Sequence, residues 1–113
     1  IYVTEGPIDS LFLPNSIAVA GSDFKKIQDD IKENAILIYD NEPRNTQIIK
    51  QIEDVIDLGY KVCIWNDRRI EDCKDINDMI MKGLSESEIV EIINRNTVYG
   101  LSAKLQLMEY KKI

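Results

Sequence analysis

VTEGPIDS, residues 3–10, decides the fold. Ile1, Tyr2 and Val3 are strand formers, and Gly6-Pro7 ends the strand they begin. Pro7 suits the first position of a helix, because it needs no donor there and its φ is preset. Ile8, Leu11 and Phe12 then recur at helical spacing. A strand therefore runs straight into a helix, with Glu5 at the strand's carboxyl end and Asp9 in the first helical turn. In open α/β sheets that edge is where ligands bind. On this stretch alone, a solvated acid before a turn is the leading reading of Glu5, ahead of a metal or general-base carboxylate.

Two later stretches shift that balance. AILIY, residues 35–39, is an apolar run ending in Asp40-Asn41-Glu42-Pro43-Arg44. YKVCIW, residues 60–65, is another, followed by a polar loop and then Lys74-Asp75-Ile76-Asn77-Asp78. Acids thus follow each of these buried-strand candidates at the same end. If the strands are parallel neighbours, the acids converge on one edge of the sheet.

The remaining chain supports such a sheet. SIAVA, residues 16–20, is a short strand, and Gly21-Ser22-Asp23 supplies a turn and cap before a helix with Phe24, Ile27 and Ile31 on one face. Pro43 is expected to open a longer helix whose apolar face is Ile48, Ile49, Ile52, Val55 and Ile56, ended by Gly59. Asp75 caps a short helix carrying Ile76, Met79 and Ile80, which stops near Gly83. Ser85 and Glu88 have capping-box spacing ahead of Ile89, Ile92 and Ile93. Val98-Tyr99 reads as a short extended piece, and Leu101, Leu105 and Met108 mark a last helix. This alternation predicts a three-layer α/β fold: a mostly parallel four-stranded sheet with right-handed crossovers and helices on both faces. A 2-1-3-4 strand order places Glu5 and Asp40 side by side at the switch point.

At 113 residues, 44% hydrophobic and 30% charged, the chain has the size and composition of one globular domain. Its net charge of −6 argues against a free-standing nucleic-acid clamp, although bound cations reverse the local sign. No apolar run approaches membrane-spanning length. With two cysteines and no histidine there is neither a zinc spacing nor a Ser-His-Asp arrangement. Cys63 and Cys73 read as a buried small hydrophobe and an incidental thiol, which fits a reducing cytoplasmic compartment.

Glu5, Asp40 and Glu42 offer the oxygen ligands that hard divalent cations choose. Clustered without a cation, such carboxylates repel one another and raise their own pKa values. Arg44, Arg68, Arg69 and Lys74 lie in the same loops and can pair with phosphate oxygens. Asp75 also reads as a helix cap, Asp78 as a dipole partner of a helix N-terminus, and Arg68-Arg69 as a solvated loop pair.

Glu-Gly-x-x-Asp after the first strand, Asp-x-Glu after the third and Lys-Asp-x-Asn-Asp after the fourth resemble a Toprim domain. That domain is the metal-binding catalytic module of bacterial-type primases, topoisomerases and some nucleases. EGPIDSLFLPNSIAV, KDINDMI and GLSAKLQLMEYKKI are most similar to the primases of T-even-type bacteriophages, and the resemblance spans essentially residues 1–113. It implies that Glu5 is a general base or metal organiser, with Gly6 and Asp9 completing its motif. Asp40 matches the first acid of the family's Asp-x-Asp pair, and Glu42 replaces the second with a longer arm. Asp75 and Asp78 match acids of the third motif, with Asn77 where an acid is frequent. The family further implies magnesium or manganese, nucleoside triphosphates, a single-stranded DNA template and a replicative helicase, in a phage-infected bacterial cell.

The expectation is therefore a Toprim part of a DNA primase that synthesises short RNA primers. A primase also needs a template-binding subdomain, so the chain is expected to be a fragment that makes no primers alone. A Toprim nuclease or topoisomerase fragment is the rival enzyme, although Tyr39, ending a strand beside the acids, is a poor candidate for a nucleophile. A non-catalytic module docked on a helicase is the rival of a different class.

Overall fold

The computed structural model describes Tyr2–Thr4, Ser16–Ala18 and residues 33–112. The helices expected from Pro7 and Asp23 lie outside the described residues. Within them, β1 (Tyr2–Thr4), β2 (Ser16–Ala18), β3 (Ile36–Ile38), β4 (Lys61–Cys63) and β5 (Thr97–Val98) form one sheet in the order β2-β1-β3-β4-β5. The pairs β1–β2, β1–β3 and β3–β4 are parallel, so the expected 2-1-3-4 order holds. The fifth strand is an addition, antiparallel to β4. The Ile64 amide donates to the Asn96 carbonyl at 3.0 Å, which draws the returning chain onto the open edge of β4.

Helices α1 (Thr46–Asp57), α2 (Ile76–Lys82), α3 (Glu86–Arg95) and α4 (Gly100–Tyr110) complete the described chain. Successive strand residues face opposite sides, and the two sides carry separate cores. Leu37, Tyr39, Val62 and Ile64 pack with α1 and with Ala103 and Leu107 of α4. Ile38, Cys63 and Trp65 pack with Ile76 and Met79 of α2 and Ile89, Ile92 and Ile93 of α3. The result is the expected three-layer α/β arrangement.

Two local expectations need correction. Pro43 lies in a turn rather than opening α1. The Asn45 amide donates to the Glu42 carbonyl at 3.0 Å, and the Asn45 side chain then caps the helix by accepting from the Ile48 amide at 3.1 Å. In α4 the inward residues are Ala103 and Leu107, while Leu101, Leu105 and Met108 face solvent. Small Ala103 lets α4 approach α1, and Lys104–Asp57 (3.4 Å) and Lys111–Glu53 (3.9 Å) flank that contact.

Candidate functional site

The carboxyl ends of the parallel strands carry the site. Beyond β3 the chain runs through buried Tyr39 into half-buried Asp40, Asn41 and Glu42. Beyond β4 it passes Trp65, then a 3₁₀ turn (Arg68–Ile70), and reaches Lys74 and Asp75 at the start of α2. The Trp65 indole donates to the Tyr39 carbonyl at 2.9 Å and ties the two strand ends together.

Asn41 clamps the second connection. Its amide nitrogen donates to the Ile70 carbonyl at 3.1 Å and the Cys73 carbonyl at 2.9 Å, while its backbone amide donates to the Lys74 carbonyl. Its side-chain oxygen accepts from the Tyr110 hydroxyl at 2.9 Å. Asn41 therefore brings the 70–75 loop beside the Asp40–Glu42 turn and anchors α4 to both. Its only trace in the sequence is its place between two acids, which says nothing of these distant partners.

Asp40 is the electrostatic centre of the edge. Burial pushes its carboxyl above the ordinary value of 3.8, and the charges of Asp75, Glu42 and Asp78 push the same way, against Lys74. Glu42, Lys74, Asp75 and Asp78 are thus the charges that act on Asp40. Asp75 and Asp78 are also helix caps. Asp75 Oδ1 accepts from the Asp78 amide at 2.8 Å, and Asp78 Oδ2 accepts from the Lys74 amide at 3.1 Å. Each keeps its second oxygen uncommitted in those bonds, and half-buried Asn77 lies between them on α2.

The basic residues divide. Lys74 lies within electrostatic reach of Asp40. Arg44 and Arg68 are exposed. Arg69 is drawn to Asp67, donating through Nε at 3.0 Å and Nη2 at 2.9 Å, with Glu88 at 4.0 Å. Its fork is engaged as a loop latch.

The donor set suits a hard divalent cation in chemistry, being carboxylate oxygen throughout. Among the described residues, however, no group of three or more acidic or cysteine side chains is close enough to hold an ion. Glu5, Gly6 and Asp9 lie outside the described residues. Thr4, immediately before Glu5, pairs with Ile38, two residues before Asp40.

Both cysteine thiols are free and buried, and burial pushes the Cys63 thiol up. Tyr39 is 2% exposed, as a core residue and not as a nucleophile. Among the described residues, no helix is long and apolar enough to cross a membrane.

Against known proteins, the chain is 40% identical over 114 aligned residues to the DNA primase of Enterobacteria phage T4. The alignment takes in 100% of the chain and 33% of the T4 primase, so the chain spans about a third of the length of that relative. No protein-family model matches the chain.

Proposed function

We propose that the chain is the Toprim-type, metal-binding catalytic domain of a DNA primase, making short RNA primers on single-stranded DNA. The observation that carries this reading is the similarity to a phage primase along the whole chain. The acidic edge supports it, because Asp75, Glu42 and Asp78 all act on the charge of half-buried Asp40 beyond β3. In this reading Asp40 and Glu42, with Glu5, hold magnesium or manganese, and Asp75 and Asp78 form a second acidic group beside them. A divalent ion held there supplies Lewis-acid stabilisation of phosphate oxygens during phosphoryl transfer.

The chain's own residues set the terms of that chemistry. Half-burial of Asp40 among like charges makes the ion-free edge unfavourable, so an ion relieves repulsion as it binds. Lys74, exposed and acting on the charge of Asp40, is the cation offered to a phosphate oxygen, and Arg44 and Arg68 are exposed for the same task. Arg69 must leave Asp67 to join them. Nucleoside triphosphates, a single-stranded template and a replicative helicase in the infected bacterial cell are the partners of this proposal.

Manganese titration followed by paramagnetic resonance tests it. The wild-type chain is expected to bind manganese in competition with magnesium, and Asp40→Asn to lower the affinity at least about tenfold. In a primase containing this chain, the same change sharply reduces primer synthesis. Equal manganese affinity in both proteins contradicts the assignment and favours a docking module whose acids are ordinary surface charge.

A further inference from the structure

The end of α4 lies against the turn that carries the acids. The Tyr110 hydroxyl donates to Asn41 Oδ1 at 2.9 Å, and the Lys112 amide donates to the Pro43 carbonyl at 2.8 Å. Asn41 and Pro43 flank Glu42, so the turn is tied to the end of α4 on both sides of that acid. We propose that Tyr110 is a positioning residue for the acidic edge: its hydroxyl, acting through Asn41, keeps Lys74 and Asp75 beside Asp40. The brace rests on these hydrogen bonds, and what the edge does with it rests on the proposed primase reading.

A side-chain amide offers two donors at its nitrogen and an acceptor at its oxygen. The Asn41 nitrogen donates to the Ile70 and Cys73 carbonyls at 3.1 and 2.9 Å. Turned over, the same amide would set its oxygen against those two carbonyl oxygens, acceptor against acceptor. The group that favours the observed orientation is the donor at its other end, the Tyr110 hydroxyl. That orientation matters to the site because the bonded loop runs straight into Lys74 and Asp75, whose charges act on Asp40. Tyr110 supplies a fixed donor because it is itself anchored. Half-buried, it packs against the cores on both sides of the sheet, and Leu107, three residues earlier, is buried in the core that contains α1. A phenylalanine would fill the same space, so the hydroxyl is the part that reaches the site.

Tyr110→Phe keeps the ring and removes the donor. In EDTA, hydrogen exchange at the Asn41 backbone amide, which is bonded to the Lys74 carbonyl, is expected to rise about tenfold relative to the amides of α3. Manganese affinity, followed by paramagnetic resonance, is expected to fall about tenfold, as when other groups that orient metal ligands are removed. In the Asn41→Ala background the same change is expected to lower affinity little further, since the hydroxyl has lost the residue it acts through. Ile89→Val loosens the core beneath α3, far along the chain from this brace, and is expected to leave both readouts unchanged. Unchanged relative exchange in Tyr110→Phe overturns the brace. Faster exchange with wild-type manganese affinity overturns the positioning role. An equal loss of affinity in Ile89→Val, or a full further loss on top of Asn41→Ala, overturns it too. If wild type binds no manganese, the metal-site reading falls, while the exchange measurement still upholds or overturns the brace.

Discussion

Asp40 and Asp67 follow neighbouring parallel strands, β3 and β4, and the molecule treats them in opposite ways. Asp67 accepts from the Arg69 amide and from the Arg69 guanidinium, and these hydrogen bonds hold its carboxyl below the ordinary value of 3.8. Asp40 is raised above that value by burial first, and then by the charges of Asp75, Glu42 and Asp78. A loop acid that stabilises its own fold is paired and depressed. An acid that costs the fold something, and is surrounded by others, points to a ligand. Residue type does not separate these two roles, whereas the company each residue keeps does.

The largest expected effect comes from the residue that holds the two loops together. Asn41→Ala leaves the Ile70 and Cys73 carbonyls and the Tyr110 hydroxyl without their partner, a loss of about 2–3 kcal/mol in urea denaturation. It also frees the 70–75 loop, so Asp40 should lose much of the influence of Asp75. A loss within about 0.5 kcal/mol, typical of an ordinary surface site, would mean that the loops are held by other contacts.

Much of this arrangement is legible in the sequence, for physical reasons that differ by element. Ile48, Ile49, Ile52, Val55 and Ile56 offer α1 one apolar face, and that face is buried. In α4 two stripes share the same spacing: Leu101, Leu105 and Met108, and Ala103, Leu107 and Tyr110. Periodicity cannot choose between them. The close approach of Ala103 to α1 chooses the second, and the larger side chains remain outside. The strand order was legible through chemistry, because acids recur after successive apolar runs. The brace at Asn41 was not, because its partners lie 29 to 69 residues away. Arg69 reads from sequence as a phosphate ligand or a solvated charge, and neither reading contains its latch to Asp67.

The next effect distinguishes the two aspartates by sign. Asp67→Ala removes a cap and a charge-assisted bond, costing about 1 kcal/mol near neutral pH. The folded value of Asp67 is depressed, so its contribution is present above 3.8 and is lost as pH falls through the lower folded value. The folded value of Asp40 is raised, so the fold gains stability as pH falls through that value toward 3.8. Thermal melts across pH in EDTA read both. The stability of wild type relative to Asp67→Ala should decline toward acid, and relative to Asp40→Asn it should rise. Trends of the same sign would break the comparison.

The smallest change in the ion-free protein is also the most direct test of whether the acidic edge is a metal site. Asp40→Asn keeps the shape of the side chain and removes one of the crowded charges. Without metal, its stability should equal that of wild type or exceed it by up to about 1 kcal/mol. With millimolar magnesium, wild type should gain stability by mass action and the variant should gain less. Melts of both proteins, with EDTA and with magnesium, show this crossover directly. A variant already substantially destabilised in EDTA, or one that gains as much from magnesium as wild type, would contradict a metal-binding role for Asp40.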